Sequence, residues 1–241
     1  MAGKRKTPPP PRRVQAPKQR SGGGGRKDPA GGDRRRLLLA IFAASGLAML
    51  IIVVGFLLLA GGDGGGGDDK VASAMRAAGC SFKSVDAKPY RKGQTHVPEG
   101  TNVKWNTFPP AAGSHYDSPA IWDFYTEVVD PRRVVHNEEH GGVVLWWGPA
   151  TPESQVAELR ALYDDKPESM IGTPVKGLGE RVAITAWTGD PKRYGSEDNY
   201  YGHGHVGVCP AYDESAFRTF RDEYRGKGPE GIPPEVNQPG Q

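Results

Sequence analysis

The sequence predicts an α+β fold, a small sheet with helices packed on one face, preceded by one transmembrane helix and a disordered N-terminal tail. Three observations carry that prediction. Residues 37–60 form an unbroken run of 24 positions without a charge. Residues 1–36 contain almost nothing apolar. Beyond residue 130, strand-like and helix-like patterns follow one another in the order strand–helix–strand–strand–helix, which suits helices laid on a sheet.

Residues 1–36 are dominated by Pro, Gly, Lys and Arg (KRKTPPPPRR, then SGGGGRK). Such a segment cannot bury enough surface to offset its chain entropy, so disorder is expected. Arg34, Arg35 and Arg36 abut the apolar run at Leu37. A bilayer needs roughly 20 apolar residues, and positive charge stays on the cytoplasmic side. The expectation is a single-pass cell-membrane anchor at 37–60, with a cytoplasmic N-terminus and an extracytoplasmic C-terminal domain in the cell envelope. Signal-peptide cores are shorter, about 7–15 residues, and end at a cleavage site. The box Ala77-Ala78-Gly79-Cys80 lies too far past the run to be a lipidation signal, and RRRLLL is an incomplete twin-arginine pattern. Residues 61–69 (GGDGGGGDD) read as a flexible linker, leaving 70–236 as a globular domain long enough for a core.

The net charge of +3 sums two unlike parts. The tail carries 12 Lys/Arg against 2 Asp/Glu, and residues 61–241 carry 19 against 26. An acidic domain repels phosphate, which excludes nucleic acid as its partner. The basic tail suits anionic membrane lipids instead.

Cys80 and Cys209 are the only cysteines. In an oxidising compartment an even pair in one domain reads as a disulfide bond, and closing so long a loop contributes on the order of 4–5 kcal/mol in the chain-entropy model. Thiolate metal ligation is the alternative.

Residues 83–130 read as irregular, broken by Pro89, Pro98, Pro109, Pro110 and Pro119. Asp130-Pro131 is an N-cap followed by proline at the first helical position, and Gly141-Gly142 ends that helix. VVLWW (143–147) reads as a buried strand and 152–165 as an amphipathic helix, with Val156, Leu159, Leu162 and Tyr163 at helical spacing. Residues 170–175, 181–188 and 206–208 read as strands, and 213–224 as a helix with Ala216, Phe217, Phe220 and Tyr224 on one face.

All six histidines follow the linker. His136 and His140 are four apart, so both rings emerge from one helix face, half of a zinc or copper site. A cation there would also relieve Glu138 and Glu139, which sit in the last turn against the helix dipole. His203 and His205, two apart, would share one face of a strand, but the glycine between them favours a surface loop. His96 shows no partner in sequence. HNEEH also fits H-x-x-E-H, in which two histidines bind zinc and the glutamate activates water; a helix this short fits that context poorly, so an enzyme is the weaker reading.

The segment WNTFPPAAGSHY (105–116) together with VHNEEHGGVV (135–144) resembles the bacterial envelope family known as domain of unknown function 3105. That family pairs N-S-x-P-P-T-S-G-P-H with V-H-N-L-E-H-G-G-V-V and closes with an aromatic helix ending near Gly-Pro-Glu, as FRDEYRGKGPE does here. The resemblance runs from about Gly79 to Glu230. It implies His115, His136, Asn137, Glu139 and His140 as the positions to carry over. Glu138 stands where the family has leucine, which makes that position solvent-facing or tolerant and favours Glu139 as the functional carboxylate.

The resulting expectation is one copper or zinc ion held by His115, His136, His140 and Glu139, with Asn137 orienting. An envelope protein-interaction module, presenting Trp105, Trp122, Trp146 and Trp147, is the rival.

Overall fold

A computed structural model describes residues 66–89, 95–195 and 200–241, all within the compact unit Gly64–Gln241. The basic tail, the apolar run and residues 61–65 lie outside the described residues. Among the described residues, no helix is long and apolar enough to cross a membrane.

The elements in chain order are α1 (Gly66–Ala77), β1 (Ser81–Asp86), β2 (His96–Val97), β3 (His115–Tyr116), α2 (Pro131–Glu139), β4 (Val143–Trp147), α3 (Glu153–Asp165), β5 (Met170–Pro174), β6 (Val182–Thr188), β7 (His203–Cys209), α4 (Glu214–Tyr224) and a 3₁₀ turn (Pro234–Val236). The fold is α+β. Five strands form a mixed sheet in the order β1-β7-β6-β4-β5, with β4 and β5 parallel and the other pairs antiparallel. The crossover between β4 and β5 is α3.

Helices lie on both faces of the sheet, not on one as the sequence suggested. Every residue of β4 is buried, so both of its faces need cover. Val143, Leu145, Val182 and Ile184 face a core with Val71 and Met75 of α1, Leu159 and Leu162 of α3, and Phe217 and Phe220 of α4. Val144, Trp146 and Ala183 pack beneath Val134 of α2 and Trp122 of the preceding loop. Among the described residues, the short, histidine-bearing α2 is thus the one helix on its face, roofed by the proline-rich segment.

Three further corrections concern individual elements. Helix α1 begins at Gly66, inside the segment read as linker; Asp68 and Asp69 occupy its first turn, where the helix dipole favours them. Strand β1 occupies the start of the segment read as irregular, pairing with β7 at the sheet edge. Strand β7 spans His203–Cys209, so His203 and His205 belong to a strand and not to a loop.

Cys80 and Cys209 form a disulfide across the β1–β7 edge, closing a sequence separation of 129 residues. Of the tryptophans expected to form a surface, Trp122, Trp146 and Trp147 are buried.

Candidate metal centre

Helix α2 is built to aim its side chains. Asp130 Oδ1 accepts the Arg132 backbone N–H at 2.9 Å, and Pro131 takes the first position, where no N–H is needed. At the other end Gly142 N–H bonds to Asn137 C=O and Gly141 N–H to Glu138 C=O, with Gly141 at φ +89°. This left-handed cap stops the helix one residue after Glu139. Asn137 clamps the helix to the loop by bonding both the N–H and C=O of Ala120, at 2.9 Å each. It orients the helix and touches none of the histidines through these bonds.

Between the two caps, His136, Glu139 and His140 fall on one face by their three- and four-residue spacings. Opposite them, β2 and β3 pair in parallel with His96 in register with His115, so both rings project from one side of that ribbon. The His115 ring lies 5.0 Å from that of His136 and 4.8 Å from that of His96, centroid to centroid. One donor atom from each of His96, His115, His136 and Glu139 falls within 4.8 Å of the others, and so does one from each of Glu139, His140 and Glu230. A cluster of this composition could hold a metal ion.

The hydrogen bonds fix how the rings point. His115 Nδ1 donates to Gly113 C=O at 2.7 Å, and His136 Nδ1 donates to Tyr116 C=O at 2.7 Å. His115 Nε2 then lies 2.9 Å from Glu139 Oε2, and His96 Nε2 lies 3.2 Å from the same oxygen. The Tyr194 hydroxyl donates to Glu139 Oε1. His136 Nε2 approaches His140 Nε2 to 3.1 Å, and His140 Nε2 lies 3.1 Å from Glu230 Oε2.

Burial and charge set the protonation states. Desolvation lowers the pKa of His136 to about 4, although the Tyr116 carbonyl works the other way. Burial also lowers that of His140. Burial alone would raise Glu139, but the His115 hydrogen bond and charge, then Tyr194 and His96, hold it down to about 2. Tyr194 is pushed up by burial and by the Glu139 charge. Glu230 is raised by burial and by the same neighbour. Two neutral imidazoles and an ionised carboxylate at ordinary pH are the forms that bind metal.

Of the four residues expected to share one ion, His115, His136 and Glu139 fall in one set with His96, whereas His140 falls in a second set with Glu139 and Glu230. His96, Glu230 and Tyr194 are the three residues the sequence did not single out. His96 shows no chelating spacing, and a two-residue parallel ribbon leaves no periodic signal. Glu230 stands in the Gly-Pro-Glu segment, yet nothing local ties it to α2. Tyr194 is one of several tyrosines in a polar stretch. His205 belongs elsewhere, on the opposite face of the sheet, bonded to Ser84 and Thr188 at 2.7 Å each and stacked on Tyr224.

Glu138 is the main reversal. It is fully buried rather than facing solvent, because the position two residues from His136 turns toward the sheet. Its Oε1 accepts from Thr185, whose oxygen takes the Trp146 N–H at 2.7 Å, while Oε2 has no partner among the described residues. Burial raises its pKa well above the carboxylate range.

Searches of curated proteins and of solved structures return no match to the chain. The family model described as protein of unknown function (DUF3105) matches residues 96–236, which takes in every residue of the cluster. The chain belongs to the DUF3105 family.

Proposed function

We propose that this chain is a membrane-anchored extracytoplasmic domain that binds a transition-metal ion, zinc or copper(II), through His96, His115, His136 and Glu139. The observation that carries the reading is the direction of two ring nitrogens. A carbonyl oxygen only accepts, so the bonds to Gly113 and Tyr116 require a hydrogen on Nδ1 of both His115 and His136. A ring anchored in this way has its Nε2 turned inward, and without a proton there that nitrogen presents a lone pair. That of His115 meets a carboxylate oxygen at 2.9 Å, a contact of acceptor with acceptor that only a positive species can hold together. A proton or a metal ion serves, and imidazoles anchored to backbone carbonyls through the far nitrogen are the usual outer arrangement of metal ligands.

Three imidazoles and a carboxylate suit tetrahedral zinc or copper(II). Copper(I) prefers thioethers, and Met75 and Met170 are committed to the core on the other face of the sheet. The anchor and the topology rest on the apolar run and its arginine flank; the disulfide accords with an oxidising compartment.

Glu139 is poorly placed as the base of a hydrolase, since one oxygen faces His115 and His96 and the other takes the Tyr194 hydroxyl. An interaction module loses most of the aromatic surface that recommended it, because three of its four tryptophans lie in the core.

X-ray absorption at the zinc or copper edge, on the full chain in detergent, tests the ligand set. The expected result is imidazole scattering from about three rings, with nitrogen and oxygen at roughly 2.0–2.2 Å. A shell of oxygens alone would contradict it.

A further inference from the structure

Besides the metal centre, the described residues hold a cleft at Lys88, Lys104 and Trp105, a buried His205–Ser84–Thr188 cluster and the unpartnered oxygen of Glu138. Among the described residues, it is the outer rim of the metal centre that turns metal-binding donors toward solvent. We infer that the centre holds two cations, the second bound by His140 and Glu230 with Glu139 as the shared ligand. This rests on the reading of the first site given above.

The donors form two sets, one of four residues and one of three, that overlap only at Glu139; within each set the donor atoms lie within 4.8 Å of one another. His140 Nε2 faces Glu230 Oε2 at 3.1 Å on one side and His136 Nε2 at 3.1 Å on the other. Ions held by neighbouring imidazoles at about 2.0–2.1 Å can then stand roughly 3.5–4 Å apart, the separation of two-metal centres bridged by a carboxylate.

Glu230 is held in place by backbone rather than chance. Gly226 N–H bonds to Gly141 C=O at 2.8 Å. A Cβ at Gly228 would lie 2.2 Å from Gly141 N and 2.4 Å from Glu139 O, so only glycine lets this segment lie against the end of α2. Asn237 Nδ2 donates to His140 C=O at 3.0 Å and fixes the same corner. His140 and Glu230 keep 23 % and 34 % of their side chains exposed, against 1 % for Glu139, so the second site is the one open to solvent.

The test is zinc stoichiometry of the full chain in detergent, measured by elemental mass spectrometry after saturation with zinc chloride and desalting. Two equivalents are expected in the wild type and one in Glu230→Gln and in His140→Ala, with unchanged circular dichroism and disulfide content confirming the fold. One equivalent in the wild type that both variants retain overturns the second ion and leaves the first intact. Two equivalents undiminished in either variant overturn the assignment to these residues. A folded wild type that binds no zinc removes both readings.

Discussion

His115 Nε2 lies 2.9 Å from Glu139 Oε2, and neither side chain is exposed by more than 1 %. Strand β3 and helix α2 supply the two groups from 24 residues apart. Each is held from behind, His115 by the Gly113 carbonyl and Glu139 by the Tyr194 hydroxyl. The arrangement is therefore rigid before any ion arrives, which is what tight metal binding requires.

Removing the rear support of the carboxylate should weaken binding without touching a ligand. Tyr194→Phe is expected to lower zinc affinity roughly 10–100-fold, the usual cost of losing an outer hydrogen bond at a metal site. Competition with a chromophoric chelator measures it, and unchanged affinity would mean that Tyr194 does not act on Glu139.

Glu138 is expected to cost stability. Its carboxyl sits between α2 and the sheet with one oxygen unpartnered, and its raised pKa means that burial disfavours the charged form. A raised carboxylate favours the fold only below the unfolded pKa, near 4.5, and works against it as pH climbs. Glu138→Leu, which restores the residue the family pattern carries, should stabilise the domain at pH 7 by about 1–3 kcal/mol in denaturant unfolding. Destabilisation of that size would show that the contact with Thr185 is worth more than its desolvation.

That position also shows what a sequence can and cannot carry. The elements with strong periodicity were legible: the apolar strand β4, the face of α4 with Phe217 and Phe220, and the capped α2 with His136, Glu139 and His140 on one side. Helix α1 was not, because its glycines and aspartates resemble a linker and only Val71 and Met75 mark its buried face. Strand β1 was not, because its edge position leaves no residue of it fully buried. His96 and Glu230 enter the site through a two-residue ribbon and a glycine contact between distant segments. Neither leaves a local pattern, and Glu138 turned inward because the helix direction, not its charge, decides where it points.

Acid should destabilise the domain through His205. Burial lowers its pKa to about 4, so the unfolded chain, titrating near 6.5, binds the extra proton first. Stability from this residue is full above pH 6.5 and is lost as pH falls toward 4, by on the order of 3 kcal/mol. His205→Gln should flatten the drop in melting temperature between pH 7 and 4.5 while leaving zinc binding unchanged. A drop equal to wild type would assign the acid sensitivity to other groups.

Reducing the Cys80–Cys209 bridge frees a loop spanning most of the folded unit. Cys80→Ser/Cys209→Ser is expected to lose about 2–5 kcal/mol, read from the urea midpoint. A midpoint unmoved by the substitution would show that the packing of α1 and β1 holds that edge without the bond.

Metal content tests the central claim most directly. The full chain, isolated from an oxidising compartment in detergent, is compared by elemental mass spectrometry with a His115→Ala/His136→Ala double variant that remains folded by circular dichroism. The account predicts at least one equivalent of zinc or copper in the wild type and its loss in the variant. A folded wild type that stays empty and takes up neither metal at micromolar concentrations would contradict it, and the converging imidazoles would then be holding a proton.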